Sequence, residues 1–176
     1  MIPDLDLQLQ VVIKALKDTV MPAVDPAHRM AIEQLGLSIA TLSMVRERLP
    51  LAGLREWQDL ANAIALGRAT VAEVSSAVLE QAIGDGAALL DEARPAPGAR
   101  TAATRAVLSA VSMAVREADD GSETALMRTI VEASRPALDL ARAWSKSAGF
   151  EPDPDEVPEV VALLTGTVGV QRTGVR

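Results

Sequence analysis

The sequence predicts an all-α fold, an antiparallel helical bundle of about five or six helices, on three observations. Apolar residues recur at spacings of three and four along most of the chain, the period of a helix face. Prolines and paired glycines mostly fall between those stretches, where chain reversals belong. Hydrophobic residues make up 49% of the 176, aromatics only 2%, and Tyr and Cys are missing, so the apolar content is the Ala, Leu and Val of packed helices.

The first helix is expected from Pro3 to about Val20, with Leu5, Leu9, Val12, Leu16 and Val20 on one stripe. Pro22 should end it, because the residue before a proline is driven out of the helical region. Asp4 to Val11 also alternates with period two, but no strand partner follows, and an isolated strand is not stable. Asp25-Pro26 reads as an N-cap and a first-turn proline, opening a second helix to about Arg48. In that helix Ile32, Leu35, Ile39, Leu42 and Leu49 alternate at three and four, and Arg46 falls on the same seam. A third helix runs from Pro50 to Gly67, with Leu54, Trp57, Ala61 and Ile64 on one face. Thr70 and Glu73 form a capping-box pattern for a fourth, with Val71, Val74 and Val78 inward. Gly84 and Gly86 should end or kink it, with a short helical piece from Ala87 to Ala93 beyond.

Arg94-Pro95-Ala96-Pro97-Gly98 is the clearest linker. A fifth helix is expected from about Ala99 to Ala118, aligning Ala103, Val107, Val111, Ala114 and Ala118. Asp119-Asp120-Gly121 supplies a turn and Ser122 a cap for the sixth. There Leu126, Ile130, Ala133, Ala137, Leu140 and Trp144 form the cleanest stripe, and Pro136 inside it should produce a kink. Composition shifts after Phe150. Residues 1–150 therefore read as the helical bundle domain, and residues 151–176 as an acidic, proline-rich C-terminal extension. This tail should hold one short helical turn, Val160 to Leu164, before a Gly- and Thr-rich remainder that is flexible or docked on a partner.

Charge and composition exclude several functions. A net charge of −7 repels a phosphate backbone, and scarce aromatics leave no stacking platform, so no nucleic acid partner is expected. Apolar runs are broken by charges well short of the roughly 18 residues that cross a bilayer, so no membrane partner is expected either. The acidic N-terminus is unlike a signal peptide, and the lack of cysteine excludes disulfides; both fit a cytoplasmic protein. Metal signatures fail. The one His is preceded at di-iron spacing by Asp25 rather than Glu, and Glu151-x-Asp153-x-Asp155 continues with Glu156 where a calcium loop needs Gly. Gly84-Asp85-Gly86 lacks the third glycine of a dinucleotide fingerprint, and Gly36-Leu37-Ser38-Ile39-Ala40 lacks the last glycine of a nucleophile elbow. No cofactor is expected.

Four residues remain as candidate ligand contacts: His28, Arg46, Trp57 and Trp144. His28 falls near a helix N-terminus, where the dipole favours neutral imidazole, with Asp25 close enough to orient it; its bland role is a hydrogen-bonded end cap. Arg46 on an apolar seam needs a carboxylate or an anionic ligand if buried, or else snorkels out at the helix end. Trp57 and Trp144 lie on apolar faces and pack in the core, unless one floors a small pocket or a subunit interface.

Residues Leu16-Lys17-Asp18-Thr19-Val20-Met21-Pro22-Ala23-Val24, then His28-Arg29, then Met44-Val45-Arg46-Glu47-Arg48-Leu49, resemble an uncharacterised bacterial family of small helical proteins. Its genes often lie beside those of aminoglycoside-phosphotransferase-like kinases and acyl-CoA dehydrogenases. The resemblance spans about residues 9–50 and implies an accessory or ligand-handling role in acyl or alcohol metabolism, with no catalytic residues to carry over.

The leading functional reading is a non-catalytic accessory or protein-interaction bundle that self-associates as a homodimer, through the Trp144 helix or the C-terminal segment. The alternative is a small-molecule binding protein, with a pocket between helices for an acyl or other apolar ligand bearing an anionic group. An enzyme is a third reading, and its acid–base chemistry would rest on His28 alone.

Overall fold

The computed structural model describes residues 4–118, 123–149 and 151–166, and among them there is no strand: the chain is an all-α helical bundle. The elements are α1 (Leu5–Ala15), α2 (Met21–Ala23), α3 (Arg29–Arg48), α4 (Ala52–Val71), α5 (Ala77–Asp91), α6 (Ala99–Glu117), α7 (Glu123–Ser145) and α8 (Val160–Leu164), with short 3-10 turns at Leu49–Leu51, Lys146–Ala148 and Pro154–Glu156. The Asp119–Gly121 turn, the Ser122 cap and the tail beyond Gly166 lie outside the described residues. The chain forms two compact units, one of Met1–Ala52 with Trp144–Pro154, the other of Gly53–Ala143 with Asp155–Arg176.

In the first unit α1 and α3 pair. Ile13 and Ile39 are its buried apolar side chains, and the expected seam of α3 is the face turned inward. The first helical run does not stop before Pro22. The backbone N–H of Met21 bonds the carbonyl of Leu16, five residues back, so Leu16–Val20 forms a π turn. This wider turn absorbs the proline, and helix resumes through Ala23. Asp25 does not cap α3. Its Oδ1 accepts from the N–H of Ala27 at 2.9 Å, closing a local Asx turn, and the helix begins three residues later than expected.

The second unit is built on α4 to α7. Contacts run in opposite order along α4 and α5: Trp57 meets Leu90, Leu60 and Ile64 meet Gly86, and Gly67 meets Ile83. The two helices are therefore antiparallel. Its core joins Ala63 and Leu66 of α4, Leu79 of α5, and Val107, Ala110, Val111 and Ala114 of α6, with Ile130 and Ala133 of α7 packed against them. Leu126, Leu140 and Ala143 of α7 are also buried, as its stripe predicts, and α7 continues through Pro136. Val157, Val160 and Leu164 are buried too, so the acidic segment anchors itself by its few apolar residues.

Three boundaries around the glycines differ from expectation. Gly67 does not end its helix. A Cβ there would stand 3.0 Å from Ile83 Cγ1 and 3.2 Å from Val107 Cγ1, so glycine permits close helix approach. Thr70 is not a cap. It is fully buried inside α4, its hydroxyl donating to the carbonyl of Leu66 at 2.9 Å, and the helix runs on to Val71. The true cap of α5 is Ser76, whose Oγ accepts from the N–H of Leu79 at 3.3 Å. That later start turns Val78 outward. Gly84 and Gly86 lie within an unbroken α5, the first in open space and the second against Leu60 and Ile64.

Candidate functional site

In the first unit Asp6, Lys17, Arg46 and Glu47 line one cavity beside the α1–α3 pair. Arg46 holds Asp6 through two hydrogen bonds, Nε to Oδ1 at 2.7 Å and a terminal nitrogen to Oδ2 at 3.0 Å. This is the bidentate geometry that a guanidinium makes with a carboxylate. The Arg46 hydrogen bond, opposed by a smaller desolvation effect, holds the Asp6 carboxyl below its usual range. Arg46 thus takes a carboxylate from its own chain. The surrounding cavity, about 460 Å³, is also lined by Lys17 and Glu47, so positive and negative side chains are matched there. Nothing in that balance selects an anion.

Arg48, one helical position off the predicted seam, sinks deeper than Arg46, with 11% of its side chain exposed against 36%. Its Nε donates to the Trp144 carbonyl at 3.3 Å, and its guanidinium carbon lies 5.9 Å from the centre of the Trp144 ring. A terminal nitrogen faces Glu47 at 3.8 Å. Trp144 is half-buried and closes an apolar cavity of about 160 Å³ with Met44, Val45, Leu49 and Ala52. That volume falls below the roughly 300–1,000 Å³ of ordinary ligand pockets. The arrangement ties the end of α3 to the Trp144 backbone.

Within the first unit, His28 takes no part in these contacts. His28 is exposed at the N-cap position of α3, its backbone N–H donating to the Asp25 carbonyl at 2.9 Å. Asp25 turns its Oδ1 to the N–H of Ala27 rather than to the His28 ring. Trp57 belongs to the second unit and is not a core residue: it is 40% exposed, and its indole N–H donates to the Leu90 carbonyl at 3.3 Å, pinning α4 to the last turn of α5.

Asp6 and Arg48 were missed by the sequence reading, as was Asn62 in the second unit. Asp6 sits in the alternating opening of α1, and its partner is 40 positions away. Asn62 is a buried amide between Ala61 and Ala63, and its polarity inside an apolar stretch was the available signal.

Among the described residues no group of three or more His, Cys, Asp or Glu is placed to hold a metal ion, and no helix is long and apolar enough to cross a membrane. Comparison with known proteins finds no match to a family model, a curated protein or a solved structure.

Proposed function

We propose that this chain is a cytoplasmic, non-catalytic accessory protein that associates with a second copy of itself through the outward face of α3. The supporting observation is that α3 is apolar on both sides. One stripe turns toward α1, and on the opposite side Met30 is 71% exposed and Leu37 44% exposed, seven residues apart. Val45 continues that outer stripe. α1 shows the same pattern, with Leu7 and Val11 outward and Ile13 inward. Exposed apolar side chains on a helix whose other face is already packed mark a surface that a partner can cover. Fully burying one such side chain is worth about 1.5–3 kcal/mol, so several shared across a two-fold axis supply the core of a dimer.

We place this surface ahead of the C-terminal segment and of the Trp144 helix, although that helix also exposes Met127, Val131 and Leu138. Trp144 rests on Arg48, and Val157, Val160 and Leu164 are turned inward. The non-catalytic part of the reading rests on side-chain chemistry: the one imidazole is exposed and lacks an oriented carboxylate, and the family resemblance implies an accessory role.

Light scattering coupled to size-exclusion chromatography tests it, using the whole chain and a Leu37→Glu variant. The expected result is a mass near twice the 18.5 kDa chain for the wild type and a helical monomer for the variant. An outward glutamate costs a monomer little, because surface substitutions usually stay within about 0.5 kcal/mol. A wild type that stays monomeric at high micromolar concentration would refute the proposal.

A further inference from the structure

The second unit contains a buried amide with an unmet hydrogen bond. Asn62 is 9% exposed, and its Oδ1 accepts from Gln58 Nε2 at 3.1 Å, while its Nδ2 is sealed from solvent and has no partner among the described residues. Turning both amides over exchanges their roles and still leaves one polar atom of Asn62 unpaired. A buried polar group without a partner is costly and calls for an explanation.

Asn62 lines a cavity of about 340 Å³ between α4, α6 and α7, inside the second unit. The size falls at the lower end of the roughly 300–1,000 Å³ range of small-molecule sites. Ala63, Leu66 and Leu108 supply apolar wall, and Ser134 adds a hydroxyl. The charged groups cancel: Arg55 Nε lies 2.8 Å from both oxygens of Asp59. Thr104 spends its proton on the Arg100 carbonyl at 2.9 Å. The cavity therefore has no net charge, and its wall carries two uncharged donors, the Ser134 hydroxyl and the Asn62 amide, whose Nδ2 is covered as it stands.

We propose that this cavity binds a small uncharged molecule with an apolar body and one carbonyl oxygen, such as a secondary amide, ketone or ester. The carbonyl accepts from Asn62, whose amide turns about its soft terminal torsion to present the N–H to the cavity, and from Ser134. An anion gains nothing here, because the guanidinium at the wall already holds a carboxylate. The inference does not rest on self-association, which belongs to the first unit.

The test uses the ¹⁵N-labelled full chain, titrated with N-methylbenzamide and with sec-butylbenzene, a carbonyl-free molecule of similar shape. The expected result is a saturable shift of the Asn62 side-chain amide signals with the benzamide and at least tenfold weaker binding of the hydrocarbon. Asn62→Leu keeps the volume and removes the unpaired group. It should raise the Tm of the free protein and reduce the tenfold preference several-fold. Ser134→Ala, which suits a helix, should reduce that preference several-fold while leaving the fold intact. Equal binding of the two probes would overturn the proposal, as would the absence of any Asn62 shift. An undiminished tenfold preference in Asn62→Leu would also overturn it, whatever happens to the Tm.

Discussion

Replacing Gly67 and Gly84 by alanine, one at a time, separates helix propensity from helix packing. Both glycines lie inside helices, so each alanine gains about 1 kcal/mol of intrinsic helix stability. At Gly84 a Cβ meets nothing within 4 Å, and the whole gain should appear. At Gly67 the same atom would stand 3.0 Å from Ile83 Cγ1, 3.1 Å from Ile83 Cδ1 and 3.2 Å from Val107 Cγ1. Ile83 Cγ1 is close to its own backbone and cannot swing aside as a chain end can. Overpacking of this kind costs about 1–3 kcal/mol, so Gly67→Ala should be destabilised by about 1 kcal/mol net. The two variants then differ by about 2 kcal/mol, which at a urea slope of about 2 kcal/mol/M separates their midpoints by roughly 1 M. Urea unfolding followed by circular dichroism reads this directly. If Gly67→Ala gained as much as Gly84→Ala, then α4, α5 and α6 would not approach each other as closely as described.

Further outcomes follow from single side chains. Leu79→Ala empties a fully buried position of the second unit and should cost about 2–5 kcal/mol, read from the same urea curves. Ser76→Ala removes the cap of α5 and should cost about 1 kcal/mol, whereas Thr70→Ser, which keeps the hydroxyl bond to Leu66, should lose mainly its buried methyl group. The Asp6 carboxyl is held below its ordinary value of 3.8 by the Arg46 hydrogen bond. A lowered folded value means the ion pair stabilises fully above 3.8 and loses its contribution as the pH falls through the folded value. The stability gap between the wild type and Asp6→Asn, measured by urea midpoints, should therefore be present at neutral pH and close in acid.

Much of the helix pattern is legible in the sequence, because period-3.6 stripes have one physical cause, burial of one face. Val107, Val111 and Ala114 of α6, and Leu126 and Leu140 of α7, are buried as their spacing requires. The errors collect where one residue type serves two purposes. Gly67 and Gly86 resemble helix terminators, but each is where side chains of neighbouring helices press to within 3.0–3.3 Å of the place a Cβ would take. Thr70 resembles a cap, yet its hydroxyl is satisfied within its own helix, so the chain can bury it. Pro22 resembles a stop, but a π turn widens the helix ahead of it.

The candidate residues were harder to place for a similar reason. Periodicity put Arg46 on the seam, but it carries no information about a partner on another helix, and Asp6 is that partner. Spacing also could not show that Arg48, next to the seam, would be the guanidinium covered by Trp144. Asn62 was passed over because a single amide in an alanine-rich stretch carries no motif. Its meaning comes only from the cavity beside it.

Hydrogen–deuterium exchange at low and at high micromolar concentration tests the central claim most directly. The account predicts that amides of α3 from Met30 to Val45 gain protection as concentration rises, while those of α4 to α7 exchange at an unchanged rate. Exchange in α3 that is independent of concentration, with the protein still weighing 18.5 kDa, would contradict it.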